Sequence, residues 1–240
     1  MKVAEGIALK IIIGLIKLLL KRGGELAKMN HLETQEIIEG AVYVIKTRDA
    51  NFYITRNGDE YIAIDAGDSK NIAKVELGKL DIKPEKITTV LLTHTDLDHV
   101  GALGIFKNAD IYISKQEVQM IDGSVVRMFD ALKNRLNHDY KVLDDNEEIY
   151  FGKTKVKCIL TPGHTNGSMS YILDDKYLFV GDTLSLKDGQ VEMFNSSFDM
   201  DDNTQRKSIE KLSKLQNIEY VFTAHYGFID ARGEIFGNFQ

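Results

Sequence analysis

The chain has 240 residues, and its 30 Lys and Arg against 36 Asp and Glu give a net charge of -6 at neutral pH. That balance argues against nucleic-acid phosphates as a default partner. The length suits one α/β domain with a sizeable core, and a single cysteine, Cys158, excludes an intrachain disulfide.

Residues 7–20 are apolar except for Lys10, Gly14 and Lys17. The run is too short to span a bilayer, which takes roughly 20 apolar residues, and Lys21-Arg22-Gly23-Gly24 follows it in place of a small-residue cleavage site. At 100° per residue Lys2, Lys10, Lys17 and Lys21 share one arc, and Ile7, Ile11, Leu15 and Leu18 another. The pattern predicts an amphipathic helix over 1–24, ended by the Gly23-Gly24 pair, ahead of a domain over 25–240. Three roles stay open for it: packing on its own domain, forming a homodimer, or lying in a membrane surface. The expected location is cytoplasmic, with membrane association through this helix as the variant.

Short strands follow over 41–46, 51–55 and 61–64, the last two joined by Arg56-Asn57-Gly58-Asp59, a hairpin signal. A helix over 69–80 precedes a buried strand over 88–92, which leads directly into Thr93-His94-Thr95-Asp96-Leu97-Asp98-His99. Beyond it the pattern predicts a helix over 100–106, a strand over 111–113 and helical material over 114–136 that suits a lid. Strands return over 148–151, 155–160, 169–173 and 177–180; Cys158 reads as a buried residue of the second of these. A helix over 202–215 then leads to a strand over 220–223. Strands grouped on either side of helices imply a mixed sheet sandwich covered by helices.

The chain has six histidines. Four of them, His94, His99, His164 and His225, directly follow apolar β-like runs, in loops that also carry Asp or Gly. A loop offering His94, Asp96, Asp98 and His99 brings together imidazole nitrogens and carboxylate oxygens, donors that hold divalent ions at about 2.0–2.2 Å. His31 and His138 lie outside every motif and are left out of the site.

His94-Thr95-Asp96-Leu97-Asp98-His99, Gly163-His164-Thr165, Gly181-Asp182-Thr183 and His225 together resemble the metallo-β-lactamase superfold. Its main motif reads H-x-H-x-D-H, followed by a Gly-His-Thr turn, a Gly-Asp turn and a final loop histidine. The resemblance covers roughly 41–229 and implies an α/β fold, an αβ/βα sandwich of two mixed β-sheets flanked by helices, with metals at one sheet edge. It also implies a first metal on His94, Asp96 and His164, a second on Asp98, His99 and His225, and Asp182 bridging the two. The departure is Asp96, which stands where most members have histidine. The change raises the ligand charge from -2 to -3, counting Asp96, Asp98 and Asp182, so iron and manganese compete with zinc, the leading expectation for the two divalent ions. The flavodiiron branch has a carboxylate at this position too, but this chain has no room for that branch's flavodoxin domain.

The expected function is that of a dinuclear metal-dependent hydrolase. A water or hydroxide bridging the metals would attack a small ester, thioester or lactone, with Asp98 and Asp182 as the catalytic carboxylates. Two alternatives remain: a non-haem di-iron redox protein related to the flavodiiron core, and a metal-stabilised module without catalysis. Asp65 resembles a family aspartate that supports the metal loop through hydrogen bonds, with an ordinary turn aspartate as the competing reading. Tyr226 is a candidate donor to a developing oxyanion, and Lys187 a candidate contact for an anionic substrate. A small-molecule substrate is expected, and nucleic acid is not.

Overall fold

A computed structural model describes residues 29–126 and 136–239. The helix expected over 1–24 and the later part of the stretch expected over 114–136 lie outside the described residues. No described helix is long and apolar enough to cross a membrane.

The first sheet has seven strands in chain order: β1 (Gln35–Ile38), β2 (Val42–Lys46), β3 (Asn51–Asn57), β4 (Glu60–Ile64), β5 (Ile87–Leu91), β6 (Asp110–Ser114) and β7 (Lys141–Leu143). β1 to β4 pair antiparallel, and β4 to β7 pair parallel. The predicted hairpin is present. Asn57 pairs with Glu60, and Gly58, at φ 66°, takes the first of the two central positions.

The second sheet is built from β8 (Glu148–Phe151), β9 (Thr154–Leu160), β10 (Met169–Leu173), β11 (Tyr177–Phe179), β14 (Tyr220–Phe222) and β15 (Phe228–Asp230). Its spatial order is β15-β14-β11-β10-β9-β8. Only β11 and β14 run parallel, so both sheets are mixed, as expected.

The central strands of each sheet, such as β3 and β10, are buried on both faces, which explains why they read as nearly continuous apolar runs. In β3, Phe52 and Ile54 point to the layer beneath α1 (Lys70–Lys79), where Ala73 and Leu77 join them. Tyr53 points the other way, into the layer between the sheets, with Val44, Ile64, Cys158, Tyr171, Phe179 and Phe222. The outer face of the second sheet meets Ile209 and Leu212 of α4 (Asp202–Leu212). The order is helix, sheet, sheet, helix. Cys158 lies in the middle layer, where burial above all pushes its thiol up to about 12.

Two expectations need correction, and one hairpin was not expected. The helix placed over 100–106 instead begins inside the histidine motif as α2 (Leu97–Val100), because the Asp96 carbonyl accepts from the His99 and Val100 amides; a separate 3₁₀ turn, Leu103–Ile105, follows. The helical stretch from 114 is a 3₁₀ turn, Lys115–Glu117, running into α3 (Val118–Asp122). That helix stops at Gly123, which adopts φ 81°. A hairpin of β12 (Leu184–Lys187) and β13 (Gln190–Met193) also exists, its turn formed by Asp188 and Gly189 at φ 50° and 77°. Asp-Gly between two alternating runs is the sequence signal for it.

Candidate metal centre

The candidate side chains stand on loops that leave the carboxyl ends of strands in both sheets. β4 ends at Ile64 and delivers Asp65; β5 ends at Leu91 and delivers the 93–99 loop. β9 leads to His164, β11 to Asp182 and β14 to His225. β4 and β5 are parallel, as are β11 and β14, so these strand ends open on one edge of the sandwich.

Two glycines make the loops possible. Gly181 adopts φ 54°, and a Cβ there would lie 2.4 Å from Thr93 Oγ1; Gly163 adopts φ 143°, and a Cβ there would lie 2.3–2.6 Å from the backbone and Cβ of Gln205. The close approaches fix the Gly-His and Gly-Asp order in the sequence.

All seven predicted residues meet. His94, Asp96 and His164 form one group, Asp98, His99 and His225 another, and His94, His99 and Asp182 a third that links them, with the donor atoms of each group within 4.8 Å of one another. Asp96 Oδ2 is 3.6 Å from His94 Nε2 and 3.4 Å from His164 Nε2. Asp98 Oδ2 is 3.4 Å from His225 Nε2 and 3.8 Å from His99 Nε2. Asp182 reaches both sides: Oδ1 is 3.4 Å from His99 Nε2, and Oδ2 is 3.1 Å from His225 Nε2 and 3.5 Å from His164 Nε2.

These separations fit a cation. Tetrahedral donors bonded at about 2.0–2.2 Å stand about 3.3–3.6 Å apart. His94 Nε2, His99 Nε2 and Asp182 Oδ1 are buried without a hydrogen-bond partner, an arrangement that costs stability unless something charged and compact satisfies it. The charges point the same way. Burial acts against a proton on His99, but Asp182, Asp65 and Asp98 override it and raise its pKa well above the usual histidine value. In Asp182, burial opposes ionisation, and His225 and His99 more than offset it, holding the carboxyl well below its usual range. The carboxylates therefore stabilise positive charge at the imidazoles, which a dication supplies when it displaces their protons.

Behind the cluster, each imidazole turns Nδ1 to a further group. His99 Nδ1 is 2.8 Å from Asp65 Oδ2, and His94 Nδ1 is 3.0 Å from Thr93 Oγ1, whose hydroxyl donates to the same Asp65 oxygen at 2.8 Å. Asp65 Oδ1 accepts from the Thr93 amide at 2.8 Å. His164 Nδ1 is 3.0 Å from Asp199 Oδ1, and His225 Nδ1 is 3.4 Å from His31 Nε2. Asp199 and His31 were not among the residues selected from sequence. Neither was Glu117, a fully buried side chain whose Oε1 accepts from the Thr95 amide (2.8 Å) and hydroxyl (2.7 Å), and whose Oε2 accepts from the Thr165 hydroxyl (2.7 Å). It ties the His94 loop to the His164 loop.

The open side is rimmed by Asp96 and Asp98, whose side chains are 23% and 28% exposed, with Leu97 between them at 63%. Phe194 forms an apolar wall, its ring 5.1 Å from His164, 5.9 Å from His225 and 5.8 Å from Tyr226. Tyr226 is buried there, and burial, then Asp182, push its phenol up to about 12, so it stays a donor at neutral pH. Lys187 stands exposed at the turn end of β12. The cavities of about 480 Å³, lined by residues such as Leu215 and Phe236, and about 290 Å³, lined by residues such as Phe106 and His138, lie away from this cluster.

The sequence matches the profile of the metallo-beta-lactamase superfamily over residues 45–225. A protein of Methanocaldococcus jannaschii named as a probable metallo-hydrolase is 32% identical over 162 residues, 68% of each chain. A hydroxyacylglutathione hydrolase of Bartonella tribocorum is 31% identical over 171 residues, 68% of this chain and 56% of the relative; the match spans little more than half of that relative's length. Among solved structures, a B3 metallo-beta-lactamase described as the first with an active-site glutamic acid superposes with a TM-score of 0.66 at 16% identity, covering 85% of both chains. At that identity the likeness concerns the fold.

Proposed function

This chain belongs to the metallo-beta-lactamase superfamily, and from that premise we propose that it is a dinuclear metal-dependent hydrolase of small thioesters, with esters and lactones as the neighbouring classes. The observation that carries the proposal is the shared position of Asp182, whose Oδ2 stands 3.5 Å from His164 of the first group and 3.1 Å from His225 of the second, while its Oδ1 stands 3.4 Å from His99 of the second. A carboxylate so placed would serve two cations, with His94, Asp96 and His164 the residues that would hold the first and Asp98, His99 and His225 those that would hold the second. Zinc suits mixed imidazole and carboxylate donors at these spacings, and the third carboxylate, Asp96, keeps iron and manganese in competition.

Two cations held there would supply Lewis acidity to a substrate carbonyl and lower the pKa of water toward neutrality. The protein's own groups do the rest. Asp98 lies on the open side, 3.4 Å from His225 Nε2, placed to accept the proton of the attacking water and return it to the departing thiol or alcohol. Tyr226 keeps its phenolic proton and offers it to the oxyanion. Phe194 and Leu97 present apolar surface to an acyl chain, and Phe194 shields the imidazoles from bulk water. The acylated glutathione in the name of the Bartonella relative is a thioester, which supports putting that class first.

Elemental analysis of protein expressed with zinc, iron and manganese available, joined to a panel of acyl thioesters, esters and lactones, tests this. Two cations per chain and thioester hydrolysis that falls at least about a hundredfold in Asp182→Asn, with the fold intact by circular dichroism, are expected. Two irons with dioxygen-dependent turnover and no hydrolysis would replace this reading with the redox one.

A further inference from the structure

We propose that His31 is a positioning residue for His225: it accepts the Nδ1 proton of His225 and, as the centre of a short strap formed by residues 30–32, holds the last ligand loop in register. Nε2 of His225 faces Asp182 and Asp98, so Nδ1 must face away from them. Among the described residues, the hydrogen-bonding group it meets there is His31 Nε2, at 3.4 Å, with the rings tilted at 45° and 5.6 Å apart. A histidine that binds a metal through one nitrogen gives its other N–H to an acceptor, which fixes ring orientation and tautomer. His94, His99 and His164 each have an oxygen acceptor at 2.8–3.0 Å. His225 has an imidazole, which can accept only if His31 is neutral with its proton on Nδ1 and its lone pair on Nε2.

The strap is tied at both ends. The Asn30 amide donates to the His225 carbonyl at 2.8 Å. The Leu32 amide donates to Asn51 Oδ1 at 2.8 Å, and Asn51 Nδ2 returns a bond to the Leu32 carbonyl at 2.9 Å. The backbone amide of the same Asn51 donates to the Ala224 carbonyl at 2.8 Å. The Leu32 side chain lies over Gly227, near enough that a Cβ there would touch it at 3.4 Å. The loop carrying His225 is thus clamped between Asn51 on the sheet and three residues from the beginning of the described chain. A neutral acceptor also orients His225 without adding charge to a cluster that already gathers Asp65, Asp96, Asp98, Asp182 and Asp199.

The inference rests on the reading that Asp98, His99 and His225 hold one of two cations. Its test is a cobalt(II) titration of the full chain, followed by visible absorption and by elemental analysis of the product, for wild type, His31→Ala and His31→Gln. In His31→Ala the first equivalent should bind within about twofold of wild type, the second should weaken about 10–100-fold, and the bands that the second equivalent adds should shift. Gln offers an Oε1 acceptor and should restore most of the lost affinity and the band positions. Unchanged binding of both equivalents by His31→Ala would overturn the proposal, as would a Gln variant no better than Ala, which would mean that ring packing alone matters. Wild type that takes up fewer than two equivalents would instead overturn the two-cation reading beneath it.

Discussion

Asp65 holds three groups at once: the Thr93 amide, the Thr93 hydroxyl and His99 Nδ1, all at 2.8 Å, from a backbone at φ 63° that few side chains other than Asp and Asn adopt. Asp65→Asn can keep the acceptor for the Thr93 amide, but its NH2 then faces both the hydroxyl and the imidazole, which share Oδ2. Metal affinity should fall about 10–100-fold, read by competition with a chromophoric chelator, and the metal-free protein should lose about 1–3 kcal/mol in urea unfolding, because buried donors then face a donor. Glu117 supplies a pH test. Burial, opposed in part by the Thr95 and Thr165 hydrogen bonds, raises its carboxyl from 4.5 to about 7. An acid whose folded pKa is raised binds its proton in the native state and not in the unfolded one between about 4.5 and 7, so native stability falls as pH rises through that window, by at most about 3 kcal/mol. Glu117→Gln removes that titration. Urea unfolding of the metal-free proteins at pH 5 and pH 8 should show the variant gaining on wild type at the higher pH; an equal difference at both pH values would show that Glu117 does not titrate there. The seven clustered residues were legible in the sequence because each follows an apolar strand run within a few positions. Asp199, Glu117 and His31 were not, because each meets its partner from 35, 22 and 194 residues away and carries no local motif.

The turn at Gly163 depends on its contact with α4. Asp201 caps that helix by accepting from the amides of Asn203 and Thr204, the Gly163 carbonyl accepts from the Asp201 amide at 3.0 Å, and Gln205 Nε2 donates to the Thr183 carbonyl at 2.9 Å. The helix start therefore grips both the His164 turn and the Asp182 turn. Gly163→Ala brings a Cβ against the Gln205 backbone, which cannot swing aside as a side-chain tip can. Thermal unfolding should show a loss larger than the roughly 1–3 kcal/mol of a strained φ alone, accompanied by weaker metal binding; retention of both would place the strain elsewhere. Strand patterns were readable over most of the sandwich because middle-layer and outer-layer residues alternate along apolar runs. Helix positions around the site were less so. The amides of His99 and Val100 start α2 on a backbone acceptor, Asp96, that has no distinct sequence signature, and the short α3 ends at a glycine inside a pattern that otherwise reads as continuous helix.

Across the whole molecule, two sheets bury a common apolar layer, whereas the loop edge gathers the carboxylates and imidazoles. Val44, Tyr53, Tyr171, Phe179 and Phe222 pack in that layer irrespective of what Asp182 faces, so chelation should loosen the edge and leave the sandwich folded. A cation that binds only the native state stabilises it by about 4 kcal/mol at a thousand times its dissociation constant, and removing it returns that amount. Hydrogen exchange with and without chelator checks the division. Amides of the loops around 93–99, 163–168, 181–183 and 224–227 should lose protection on chelation, while those of β3, β9 and β10 keep theirs, since they belong to the most stable cooperative unit. Loss of protection everywhere at once would instead mean that the metal centre is part of the folding core. In that case the membership of the fold and the chemistry of its edge would be one property rather than two, and variants at Asp182 would be expected to unfold rather than simply to lose activity.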